Sequence, residues 1–325
     1  MKIMPLMCAL LLCATPIVCG PAAAQGLKEQ AAAFTTVEVS EDQLVAAFMA
    51  PTGHGPRPAI IVLGGSEGGT ALVRSVGRQF ANEGYAVLAL SYFGAPGLPG
   101  TAAEIPMEYF DRAIAWLARQ PQVDPEHMGI FGISKGGEAA LLIGSRSPRL
   151  HAVAAGVPSN VVWQAIPAGA GAAPTSTWSV AGAPVAYLPY DQTVRFDFTR
   201  YMESIYALYS GALPTADAHP EAMIPVERIN GPVLLISGRS DALWPSTAMS
   251  DMVVARLRKN GFSHPVQHLA YQDAGHAVST PPAMASTSGY PDEAVGGTVA
   301  GNAAGRADMW PRLIAFFDTA LGMKR

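Results

Sequence analysis

HMGIFGISKGGEAALLIG, residues 127 to 144, decides the fold. Met128 to Phe131 is a short apolar run, the mark of a strand covered on both faces. Gly132-Ile133-Ser134-Lys135-Gly136 follows, and then small and apolar residues at helical spacing. A solvent loop has no use for these glycines, and a core has no use for the lysine. Glycine on either side lets the backbone pass through a strained strand-to-helix turn with a hydroxyl at its tip. G-x-S-x-G alone is a weak signal. Between a buried strand and a helix it is the signature of a nucleophile elbow. The helix opening at Lys135 directs the positive end of its dipole toward any anion formed beside Ser134.

The pattern repeats on both sides. Ala59 to Leu63, Tyr85 to Tyr92, Leu150 to Val157, Gly231 to Ser237 and Val266 to Tyr271 read as further strands, most of them continuous apolar runs. Thr35 to Ala50 alternates loosely, as an edge pair does. Ala71 to Glu83, Met107 to Arg119, Thr247 to Lys259 and Ala307 to Leu321 have helical spacing. Strands alternating with helices predict an α/β architecture, a mostly parallel sheet with helices on both faces. Two segments interrupt the alternation. Residues 161 to 190 are rich in Gly, Ala, Pro and aromatics, with a helical stretch from Arg195 to Leu208 after them. They are expected to be an insertion at the end of the sheet where such folds place their sites. Thr280 to Arg306, rich in Gly, Ala and Ser, is expected to be a surface loop.

The first 24 residues carry Lys2, an apolar stretch and Ala22-Ala23-Ala24. This predicts a secretory signal peptide cleaved after Ala24, leaving residues 25 to 325 as a single domain in the periplasm or outside the cell. No membrane span is expected to remain after cleavage. All three cysteines, Cys8, Cys13 and Cys19, fall in the leader. The mature chain is therefore predicted to hold no disulfide and no thiolate. Half of the residues are apolar, 14% are charged and the formal charge is −4, which speaks against disorder and against a basic nucleic-acid face. No signal bears on oligomeric state.

A serine hydroxyl needs a base to take its proton. His276, in QDAGHAV just after the last strand, has the loop position for that work. The acid that orients the imidazole is expected from a loop after an earlier strand. Asp241, in LLISGRSDALWPS, fits, and Asp273 lies too close to His276 in the chain to reach its far nitrogen. The oxyanion formed on attack needs preorganised N–H donors. Lys135 supplies one from its backbone, and the glycine-rich loop after Leu63 supplies another, Ser66 first and Gly65 as the substitute. That loop is not a phosphate cradle, because Thr70 and Ala71 stand where Lys and Ser/Thr are required. His264 and His268 form HxxxH, but on a strand they stand roughly 13 Å apart, so no metal site is expected. No cofactor is implied. The side chain of Lys135 is expected in solvent.

These segments resemble one family. AIIVLGGSEGG, IPMEYFDRAIAWLARQPQVDPEHMGIFGISKGGEAALL, VPSNVVW, IPVERINGPVLLISGRSDALWPS and HLAYQDAGH are similar to the C-terminal domain of type I acyl-CoA thioesterases and bile acid-CoA:amino acid N-acyltransferases. Dienelactone hydrolases are more distant relatives. The resemblance covers residues 56 to 276. It implies an α/β-hydrolase fold and a nucleophile–Asp–His triad on Ser134, Asp241 and His276. Family members often carry an N-terminal β-sandwich, for which little chain precedes the first core strand here. The acyltransferase branch uses cysteine as nucleophile, whereas Ser134 fits the hydrolase branch.

The reading that results is a secreted serine hydrolase acting on small-molecule acyl esters or thioesters. Trp163, Trp178 and Tyr187 of the insertion are its expected acyl contacts. Its rivals are acyl transfer to an amine or hydroxyl, and a catalytically silent envelope binding protein.

Overall fold

The computed structural model describes residues 33–53, 55–166, 173–284 and 291–324. The predicted leader, with the three cysteines, lies outside the described residues. The elements are β1 (Phe34–Val39), β2 (Val45–Pro51), β3 (Arg57–Leu63), α1 (Ala71–Asn82), β4 (Ala86–Ser91), β5 (Ile105–Pro106), α2 (Met107–Ala118), β6 (Val123–Ile133) and α3 (Lys135–Gly144). They continue with β7 (Ala152–Gly156), β8 (Trp178–Val180), β9 (Ala183–Pro184), α4 (Tyr201–Ala212), β10 (Val233–Gly238), α5 (Ser246–Lys259), β11 (Val266–Tyr271) and α6 (Val299–Leu321).

Eight strands form one sheet in the order β1-β2-β4-β3-β6-β7-β10-β11. β1 and β2 pair antiparallel at one edge, β2 pairs antiparallel with β4, and every later pairing is parallel. The apolar runs are the central strands, as burial on both faces requires. Alternate residues enter different cores. Ile60, Val62, Phe131, Leu234 and Ile236 pack with Phe80 of α1 and Met309, Leu313 and Phe317 of α6. Ile61, Leu63, Ile130, Val153 and Leu235 pack with Phe110 and Ile114 of α2, Leu141 of α3 and Leu257 of α5.

The insertion between β7 and α4 adds β8 and β9 to β5 in a small second sheet, β5-β8-β9, and makes two bridges, Trp163 to Leu188 and Gln164 to Ser176. Its residues 167–172 lie outside the described residues. A third core joins Val161, Trp163, Leu188, Tyr190 and Tyr209 to Trp244. The helix expected at Arg195 begins only at Tyr201, after a short 3₁₀ turn at Phe198–Arg200.

Thr280 to Arg306 corrects the sequence reading. Of this stretch, residues 285–290 lie outside the described residues, Asp292–Val295 is a helical turn, and α6 starts at Val299 with the Thr298 hydroxyl accepting from Gly301 N–H at 2.9 Å. Its glycines serve close packing. A Cβ on Gly301 would stand 2.0 Å from the Asp273 carbonyl, and one on Gly305 would stand 2.7 Å from Val278 Cγ2.

Candidate active site

Ser134 is the hinge between β6 and α3, with φ 59° and ψ −120°. A positive φ is costly for a residue with a side chain, and the surroundings must impose it. Here they do. A Cβ on Gly132 would lie 1.9 Å from the Gly136 carbonyl, and one on Gly136 would lie 2.3 Å from the Gly64 carbonyl. The turn thus closes only with glycine at both places, and it packs directly on the loop that follows β3. Ser134 N–H is held by the Gly156 carbonyl at 2.8 Å.

His276 and Asp241 arrive from loops after β11 and β10. Asp241 is 7% exposed, and its carboxylate is fully engaged. Oδ1 accepts from Leu243 N–H at 2.9 Å and Trp244 N–H at 3.3 Å, while Oδ2 accepts from the Ser246 hydroxyl at 2.6 Å and faces His276 Nδ1 at 2.9 Å. A carboxylate can only accept, so Nδ1 carries the proton and Nε2 is left with its lone pair. The Ser134 hydroxyl donates to that nitrogen at 2.8 Å. The indole of Trp244 packs edge-on to the imidazole at 5.9 Å. A hydroxyl so placed can give up its proton as it attacks a carbonyl.

Ser134 opens into a cavity of about 250 Å³. Ser66 and Lys135 line it together with His276. Lys135 is the first residue of α3, so its N–H has no carbonyl of its own helix to bond. Gly65, the substitute donor, is excluded because its N–H is bound by the Glu67 carboxylate at 2.8 Å. Glu67 went unnoticed in the sequence. It lines the cavity, and withheld solvation pushes its pKa up against the pull of its own and Gly65's amides and of His276.

Two further expectations fail. Trp163 and Trp178 are fully buried and, like Tyr187, do not line the cavity. Trp163 stacks on Tyr190 and meets Tyr209 edge-on, Trp178 packs against Tyr92 and Phe110, and Tyr187 packs against the core of the α2, α3 and α5 face. The cavity is instead lined by Ile166 and by Tyr201, Met202, Ile205 and Tyr209 of α4. The Tyr201–Ile205–Tyr209 spacing, one helical face, is the signal that could have found them. Lys135 is not in solvent. Its ammonium is buried and pairs with Glu138 at 2.8 Å. Asp292 and Val295, from the stretch read as surface, complete the cavity.

Among the described residues no group of three or more His, Cys, Asp or Glu side chains is placed to hold a metal ion. His268 instead bonds Ser237 and Asp251. No helix among the described residues is long and apolar enough to cross a membrane.

A mostly parallel sheet with a strained serine elbow at the carboxyl end of a central strand defines the α/β-hydrolase class. A dienelactone hydrolase-like promiscuous phosphotriesterase from metagenomic libraries superposes with a TM-score of 0.54, at 18% identity, over 90% of this chain and all of its own. Residues 105–323 match the family described as BAAT / acyl-CoA thioester hydrolase C terminal, and the chain belongs to that family. It is 29% identical over 302 residues to the peroxisomal succinyl-coenzyme A thioesterase of Mus musculus, covering 88% of this chain and 65% of that protein. It is 31% identical over 293 residues to the mitochondrial acyl-coenzyme A thioesterase 2 of Mus musculus, covering 89% and 61%. The chain thus spans less than two thirds of these relatives' length.

Proposed function

We propose that the protein is a serine hydrolase of the periplasm or the cell exterior that cleaves carboxylic esters or thioesters. The observation that carries this reading is the hydrogen-bonded series Ser134–His276–Asp241 opening on an apolar-walled cavity. Ser134 Oγ attacks the acyl carbonyl, and its proton passes to His276 Nε2. The tetrahedral oxyanion forms against the backbone N–H groups of Ser66 and Lys135, each worth roughly 2.7–4 kcal/mol to the transition state. His276 then protonates the leaving oxygen or sulfur, leaving an acyl ester on Ser134. Water attacks that ester with His276 as base, the carboxylic acid departs and Ser134 regains its proton. Asp241 holds the imidazole tautomer and stabilises the imidazolium at each step. The named activities of the two mouse relatives support a thioester as the scissile bond.

A panel of p-nitrophenyl esters and acyl-CoA thioesters, assayed with the processed protein, tests the reading. Hydrolysis together with a fluorophosphonate adduct on Ser134 is expected. Absence of both in folded protein removes it. Adding amines and alcohols to the assay separates hydrolysis from acyl transfer by the products formed.

A further inference from the structure

The Lys135–Glu138 pair is a buried titratable group that the reaction does not use. Both sit in the first turn of α3, one and four residues after the nucleophile, and their side chains are 3% and 0% exposed. A buried ion pair is weak evidence for stability, since desolvation offsets much of the attraction. What sets this pair apart is what else Glu138 binds. One oxygen accepts from Lys135 Nζ at 2.8 Å. The other accepts from the Trp178 indole N–H at 2.8 Å and from the Trp163 backbone N–H at 3.3 Å. Both tryptophans belong to the insertion. One carboxylate therefore ties the nucleophile's helix to two separate segments of the cover, β8 and the stretch around Trp163.

From those tryptophans the contacts run to the cavity. The Trp163 ring meets Tyr209 edge-on at 4.9 Å, and Tyr209 lines the cavity and meets Trp244 at 5.3 Å. Trp178 packs on Tyr92 at 5.6 Å, and the Tyr92 hydroxyl donates to the Gly64 carbonyl at 2.8 Å, in the loop that carries Ser66. The Lys135 ammonium lies 5.8 Å over the Trp244 ring.

We infer that Glu138 is a positioning residue that sets the acyl wall of the cavity, by fixing Trp163 and Trp178 of the cover to the helix of Ser134. This rests on the hydrolase reading above and adds a selectivity role to it. Loosening the anchor lets the Tyr209 wall move away from the serine. A long acyl group, which needs that wall, loses binding, and an acetyl group, which does not reach it, is spared.

The test compares kcat and KM for p-nitrophenyl acetate and p-nitrophenyl octanoate in wild type, Glu138→Gln, Trp178→Phe and the double variant Lys135→Met/Glu138→Gln, with a melting curve for each. Glu138→Gln keeps the shape but leaves one acceptor oxygen for donors on both sides; when the Lys135 ammonium takes it, the amide NH2 faces the Trp178 and Trp163 N–H groups and the anchor is lost. The variant should raise KM for octanoate relative to acetate by about tenfold, the scale of one lost hydrogen bond to a charged group. The double variant, with no ammonium to take that oxygen, should return most of that selectivity. Trp178→Phe should shift it in the same direction as Glu138→Gln. A parallel fall for both esters in Glu138→Gln, or no change, overturns the inference and leaves a merely structural ion pair. If Glu138→Gln fails to fold, Trp178→Phe decides: a selective loss on octanoate supports the anchor, and equal loss on both esters overturns it. A wild type that turns over neither ester, and takes no fluorophosphonate, defeats the hydrolase reading itself.

Discussion

Ser134 holds a backbone conformation that costs on the order of 1–3 kcal/mol, and the glycines around it are what make it reachable. Two predictions belong here. Ser134→Ala should lower kcat by a factor on the order of 10⁴ or more while the melting curve stays near wild type, and His276→Ala should do comparable damage, since such residues act as a unit. Near wild-type turnover would reassign the nucleophile in the first variant and the base in the second. Gly136→Ala should act differently, because its methyl would press on the Gly64 carbonyl rather than on any reacting group. Overpacking of this kind costs about 1–3 kcal/mol of stability. By displacing the Ser66 loop it should also cost kcat about 10²-fold, the scale of one oxyanion donor. Paired melting and steady-state assays read both effects.

The strands that carry the site are pinned by side chains as well as by the ladder. His268 of β11 bonds Ser237 of β10 through Nε2 at 2.8 Å and Asp251 of α5 through Nδ1 at 3.0 Å. Burial lowers its pKa from the ordinary 6.5, against the pull of Asp251. Between that lowered value and 6.5 the unfolded chain binds more protons than the folded one. Stability from this group is therefore complete above about pH 6.5 and is lost as pH falls below it. Urea titrations from pH 7.5 to 5 should show that decline, and it should be smaller in His268→Gln. Equal slopes in both proteins would remove His268 as the cause. At this scale the sequence was most legible where each residue's periodicity and its burial agree: β3, β4, β6, β7 and β10 are apolar runs and buried strands. The serine and the acid were legible because each follows such a strand, and the histidine because its loop follows β11, the last strand. Legibility failed where tertiary contact decides. The glycines of α6 read as loop because nothing local says that Asp273 and Val278 lie against them. Trp163 and Trp178 read as ligand contacts because their true partner, Glu138, belongs to a different element.

Over the whole molecule, the proposed location and the absence of cysteine after residue 24 go together. Intact mass of the protein recovered from the periplasm or medium should correspond to a chain beginning at Gln25, and its melting temperature should be the same with and without reductant. A chain retaining Met1 would refute the cleavage. One residue far from Ser134 in sequence bears on the site as a whole. Asn302 of α6 is fully buried; its Oδ1 accepts from Gly275 N–H at 2.8 Å, beside His276, and its amide donates to the Gly296 carbonyl at 3.0 Å. Gly296 in turn bridges to Asp241. Asn302→Ala would leave two buried backbone groups unpaired, about 1–3 kcal/mol each, and should reduce kcat together with stability. The same link orders events in time. Because translation delivers Asn302 after Ser134, Asp241 and His276, the loops that carry the base and the acid gain this tie only when the last helix docks. A chain cut short before Asn302 should therefore carry the nucleophile without a fixed base and acid beside it.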